Sequence, residues 1–150
     1  MKVYRVLAYL VAAGVAFQAA TIAYAVFGLG RYIDGGGSVD KNSDGFPGVG
    51  GLMMHGVGGQ LVIPVITLAL LVTSFFAKFP GAVRWALIVL VTVVLQVALG
   101  IFSHSLPALG AVHGVLAMVL FGVAVTAAMR TGRAVRTEDA GTARVATPVS

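Results

Sequence analysis

Three histidines, His55, His104 and His113, are the residues of this chain best suited to chemistry, and each falls near the outer end of an expected helical span. Helix formation does not require histidine there, and titratable groups within apolar spans are costly and usually have a function. The chain contains no cysteine, which excludes disulfides, iron–sulfur clusters and thiolate metal sites. Imidazole, thioether and backbone groups are the soft or borderline ligands that remain.

His55 and His113 stand in matching surroundings. Met54-His55-Gly56-Val57 opens one apolar stretch and Val112-His113-Gly114-Val115 opens another, with Gln18 and Gln96 at similar depths in the stretches that precede them. If these stretches are helices, each histidine lies about one turn in, roughly 5 Å below the outer boundary, and the two imidazoles are level across a bundle. Two neutral imidazoles facing one another suit a tetrapyrrole iron, which takes one axial ligand from each face. A macrocycle also needs room. Gly59 and Ala117 lie one turn below their histidines and leave a slot, and Val62, Ile63, Ile66, Leu116, Leu120 and Phe121 would wall it. The expected site is therefore one heme b, with His55 and His113 as iron ligands and Arg31 or Lys41 pairing with its propionates.

Other readings compete at individual positions. Glycine in membrane helices commonly serves close helix packing, and an intramembrane amide such as Gln18 or Gln96 commonly bonds between helices rather than contacting a cofactor. His104 could be a propionate partner, a proton-transfer group or an interfacial residue. Met53 and Met54 precede His55, so a copper site of His and Met is conceivable, although methionine is commonly apolar filler.

The elements that would position these groups follow from composition. The chain is 59% hydrophobic and only 10% charged, against roughly 25% charged residues in soluble domains, so lipid rather than water is its natural solvent. Spans are expected at about 6–29, 52–77, 85–104 and 109–129. The first contains Ala23-Tyr24-Ala25, which resembles a signal cleavage site, but its apolar run exceeds the roughly 7 to 15 residues of a signal peptide's apolar core. Pro64 should kink the second span and free the carbonyl of Gln60. The glycine- and aspartate-rich stretch from Arg31 to Gly51 is an aqueous loop, and Trp85 is an interface anchor.

These spans predict an all-α integral membrane four-helix bundle over residues 1–130, followed by a disordered cytoplasmic tail over 131–150. Lys2, Arg5, Lys78, Arg84, Arg130, Arg133, Arg136 and Arg144 fall on one side and only Arg31 and Lys41 on the other. Both termini are accordingly expected in the cytoplasm of a multi-pass protein of a bacterial plasma membrane. The paired motifs imply two pseudo-repeated hairpins related by an axis along the membrane normal. The net charge of +5 is dispersed between uncharged runs, which does not suit a nucleic-acid binder.

Leu95-Gln96-Val97-Ala98-Leu99-Gly100, a short outer loop with Pro107, and His113 at the head of an alanine- and leucine-rich helix resemble one four-helix half of heme A synthase. The resemblance covers nearly all of residues 6–129 and implies that His55 and His113 correspond to the histidines at the outer ends of that half's second and fourth helices. The chain looks closer still to a group of small bacterial four-span proteins with no assigned function. It departs from the heme A synthase pattern in having one half, no cysteine pair and only Asp34, Asp40 and Asp44 as acids in its first outer loop. What the resemblance implies is the scaffold and the ligand pair, since fold analogy does not carry activity.

The expectation is a small cytochrome b that transfers electrons, because two axial imidazoles leave no iron position open for substrate. A quinol donor and an outer-face redox protein as acceptor would suit such a carrier, as would a homo-oligomer in the lipid bilayer, although no residue pattern singles out any of them. A heme-dependent membrane oxidoreductase and a cofactor-free structural subunit are the alternatives.

Overall fold

The computed structural model describes residues 1–40 and 45–145, with side chains through residue 131. It is helical, with no strand among the described residues. In order come α1 (Lys2–Asp34), α2 (Val49–Val57), a π turn (Gly58–Val62), α3 (Ile63–Ser74), α4 (Ala82–Phe102) and α5 (Ala108–Val145). The segment from α2 through the π turn to α3 is one continuous span. Four helices are long and apolar enough to cross a membrane, Lys2–Asp34, Val49–Ser74, Ala82–Phe102 and Ala108–Thr131, so the chain reads as a multi-pass membrane protein.

The helix ends differ from the sequence expectation by a few residues, for local reasons. Gly48 and Gly81 adopt φ of 100° and 84°, a left-handed conformation that costs glycine little, and they set the starts of α2 and α4. The second span thereby begins at Val49 instead of about residue 52, which sets its histidine farther along the helix than expected. Helical backbone in α5 continues to Val145, where the sequence predicts a disordered tail from residue 131. Once a helix exists each further residue adds a hydrogen bond at little cost, and no proline interrupts before Pro148. The tail's side chains and residues 146–150 lie outside the described residues.

Pro64 sits in the first turn of α3, and the π turn immediately precedes it. Proline offers no N–H to the carbonyl of Gln60, so the α-helical ladder cannot close there.

The helices pack in a ring: α1 against α5 and against the α2–α3 span, and α4 against α3 and α5. Spans two and four therefore face each other across the diagonal. The core occupies the half nearest Lys2 and Arg130, called the inner half by position in the bundle alone, where Tyr4, Ala8, Val11 and Val15 of α1 meet Ile63 and Leu70 of α3, Ala86 and Val89 of α4, and Leu120, Ala124 and Ala127 of α5. Small alanines let these backbones approach closely. The inner end is tied by the Tyr4 hydroxyl donating to the Ala82 carbonyl at 3.2 Å, by Tyr4 edge-on to Phe79 at 5.1 Å, and by the Arg130 guanidinium 5.0 Å from the Trp85 ring centre.

The outer half is packed differently. No residue from 94 to 119 is buried, and α2 and α4 do not pair as helices, so the seam between spans two and three is closed by α3 and α4 only at the inner end.

Candidate functional site

His55 and His113 come together in this outer half. Their ring centroids stand 6.1 Å apart with the planes at 64°. His55 lies six residues into α2 and His113 five residues into α5, about 9 Å and 7.5 Å of helix rise respectively. Both are half-buried.

Each ring is tethered to the helix before it in the chain. Nδ1 of His55 lies 3.0 Å from the Gln18 carbonyl oxygen, and Nδ1 of His113 lies 3.0 Å from the Gln96 carbonyl oxygen. A carbonyl accepts only, so in both residues Nδ1 donates and Nε2 of the neutral ring carries a lone pair. The Gln18 carbonyl also accepts from the Thr21 hydroxyl at 3.0 Å, which the sequence reading did not single out. Thr21 is a short polar residue one turn beyond Gln18, and that spacing is the signal that could have found it.

The two glutamines brace the same helices through their side chains. The Gln18 amide donates to the Met54 carbonyl at 3.4 Å. The Gln96 amide donates to the His113 carbonyl at 3.0 Å and lies 3.2 Å from His113 Nε2, the nitrogen with the lone pair. The amide oxygens of both, Gln18 Oε1 and Gln96 Oε1, are buried without a hydrogen-bond partner. Such atoms are expensive to leave unmet, and they mark the polar interior of an otherwise apolar bundle.

The small residues divide by role. Gly58 is buried against the Gln18 side chain, and a Cβ there would collide with its amide nitrogen. Gly100 faces the His113 ring, 3.2 Å from where its Cβ would stand to Cε1. Gly59, expected to open a slot, is half-buried with only Gln18 Oε1 near its face, at 3.6 Å, and Gly56 and Gly114 face open space. Ala117 is half-buried and packs onto the core. Of the expected apolar walls, Ile63 and Leu120 are buried and Ile66 and Leu116 half-buried, whereas Val62 and Phe121 are exposed on the outer faces of their helices.

Two expected contributors stand apart. His104 is exposed in the turn after α4. Arg31 is exposed in the last turn of α1, and from residue 18 to residue 31 that helix rises about 20 Å, well beyond the level at which His55 is anchored. Lys41 lies outside the described residues.

Among the described residues no group of three or more His, Cys, Asp or Glu gathers to hold a metal ion. The donor set is two imidazoles alone. A structural zinc takes four protein ligands and a catalytic one three, so this pair is too small for a bare ion. A tetrapyrrole brings four nitrogens of its own and asks the protein only for axial ligands, which two imidazoles supply.

Comparison with family models, with curated proteins and with solved structures gives no match.

Proposed function

We propose that the chain is a membrane-embedded b-type cytochrome, with one heme b held between His55 and His113 near the outer face and used for electron transfer. The observation that carries this reading is the pair of Nδ1 tethers at one ring separation. Two imidazoles that shared one metal ion through Nε2, with metal–nitrogen bonds of about 2 Å, would place their ring centroids about 6 Å apart. The 6.1 Å between the rings agrees with that figure. Heme b, when bound, supplies a one-electron couple. The unpaired seam between α2 and α4 is the side from which a flat apolar ring would enter.

In this reading the protein's work is orientation. The Gln18 and Gln96 carbonyls hold each imidazole in the tautomer that ligates through Nε2, and the hydrogen bond at Nδ1 raises the basicity of the ligand. Gly58 makes room for the Gln18 side chain and Gly100 for the His113 ring. Filling both axial positions favours electron transfer over chemistry on a bound substrate. The equivalent tethers of the two hairpins support a duplicated origin related by an axis along the membrane normal. The cations Lys2, Arg5, Lys78, Arg84 and Arg130, drawn to one end by the Tyr4–Ala82 and Trp85–Arg130 contacts, support cytoplasmic termini in a bacterial plasma membrane. A quinol within the bilayer and an outer-face redox protein are the donor and acceptor this placement suits.

A second reading, a cofactor-free structural subunit, is favoured by one contact. The Gln96 amide already offers a hydrogen bond to His113 Nε2, which satisfies that ring without iron. A pyridine hemochrome assay on detergent-purified protein separates the two. One heme per chain with a low-spin spectrum, lost on His55→Ala or His113→Ala, supports the cytochrome. A colourless preparation from heme-replete cells rejects it in favour of the structural subunit.

A further inference from the structure

Span two carries one residue more between its histidine and its core than span four does. Eight residues separate His55 from the buried Ile63, and seven separate His113 from the buried Leu120. At about 100° per residue of α-helix, seven residues return a side chain to within about 20° of its starting direction, whereas eight leave it about 80° away. His55 and Ile63 nevertheless both face the interior of the bundle, His55 towards Gln18 and His113, and Ile63 into the core.

The inward positions of span two are Gly51, His55, Gly58, Ile63, Thr67, Leu70 and Ser74. Every step between them is three or four residues except one. The step from Gly58 to Ile63 is five, and it coincides with the π turn. In span four the inward positions His113, Ala117, Leu120, Ala124, the adjacent pair Ala127 and Ala128, and Thr131 keep to a three- or four-residue period with no five-residue step.

We infer that the π turn is a register device: it absorbs one extra residue so that His55 and the buried face of α3 stand on the same side of the span, and Pro64 fixes its place. Pro64 denies the Gln60 carbonyl its α-helical donor, so the wider turn forms immediately before it. Leu61 and Val62, on the outside of that turn, are exposed and take no part in the core. The phase argument stands on the backbone alone. Its consequence, that Pro64 and the π turn are positioning elements for an axial ligand, rests on the cytochrome reading.

The test is a pair of one-residue deletions. Removing Leu61 turns the five-residue step into four, so the π turn becomes an α turn and His55 keeps its bond to the Gln18 carbonyl. That variant is expected to unfold within a few degrees of the parent and to keep its heme spectrum. Removing Val119, which is also exposed in span four, rotates His113 by about 100° against its core. This second deletion is expected to lower the unfolding temperature sharply and to abolish the low-spin spectrum. The inference is overturned if both deletions are equally damaging, and also if both are equally harmless. Unfolding temperature reads the register without heme, so a colourless parent would sink the cytochrome while the deletions still decide the role of the π turn.

Discussion

Gln96 grips His113 on both sides of its imidazole, its main-chain carbonyl at Nδ1 and its side-chain amide at Nε2. The two contacts are consistent only with a proton on Nδ1 and a lone pair on Nε2. The amide therefore occupies the same lone pair that an iron would take. Gln96→Leu should destabilise the heme-free protein by about 1–3 kcal/mol, because His113 loses a donor at Nε2 and another at its carbonyl in a part-buried site. The heme-loaded protein should lose less, since Nε2 then has another partner. Thermal unfolding of apo and reconstituted samples measures the difference. Equal losses in both forms would show that heme does not engage that nitrogen.

The glycines around the tethers should respond to alanine in a definite order. Gly51→Ala would drive a methyl into the Thr21 carbonyl of α1, a backbone atom that cannot step aside, so α1 and α2 must separate. Gly58→Ala meets the end of the flexible Gln18 side chain, which can swing away at the expense of its bond to Met54. Gly114 faces open space. Overpacking costs typically about 1–3 kcal/mol, so Gly51→Ala should fall at the top of that range and Gly58→Ala lower. Gly114→Ala should be neutral or slightly stabilising, because alanine is the better helix former. A melting series in detergent checks the order, and a neutral Gly51→Ala would contradict the close approach of α1 and α2.

The four spans and the histidine pair were legible in the sequence because both depend on local pattern. Uncharged runs report lipid contact, and equal depth of His55 and His113 follows from counting along helices that begin near the same boundary. What the ring nitrogens bond was not legible. The acceptors are main-chain carbonyls of Gln18 and Gln96, and every residue has a carbonyl, so side-chain identity carries no signal for the tether itself. The π turn escaped for a related reason. Pro64 announces a lost hydrogen bond, but whether the helix kinks or widens depends on which faces must be buried on either side, and that is settled by packing. His104 and Arg31 were grouped with the site because they share its end of the membrane. Depth along the axis and exposure separate them from it.

Because the chain has no cysteine, single cysteines can report its orientation without background labelling. Ser38 is exposed in the loop after α1, and Lys78 is exposed between α3 and α4, at the opposite end of the bundle. With cytoplasmic termini, Ser38→Cys should react with a membrane-impermeant maleimide added to whole cells and Lys78→Cys should react only after lysis. Both positions are outside the helices and away from the core, so neither substitution should alter stability. The reverse labelling pattern would invert the topology and put the histidine pair near the cytoplasmic face.

His104 and Arg31 provide the last check on which residues belong to the site. His104 is exposed in the turn after α4, and its neighbour Ser103 is bonded back to the helix, its hydroxyl 3.2 Å from the Gly100 carbonyl. Nothing in this geometry turns the His104 ring towards His55 or His113, which already face one another. His104→Ala should therefore leave heme content and the low-spin spectrum unchanged, while His55→Ala abolishes them. Arg31→Ala should likewise leave heme content unaltered, given the roughly 20 Å of α1 between it and the Gln18 tether. The reading is specific enough to fail. A high-spin spectrum from His104→Ala, with His55→Ala still low-spin, would mean that iron is held by a different pair and that the 6.1 Å approach of the two rings is a packing contact.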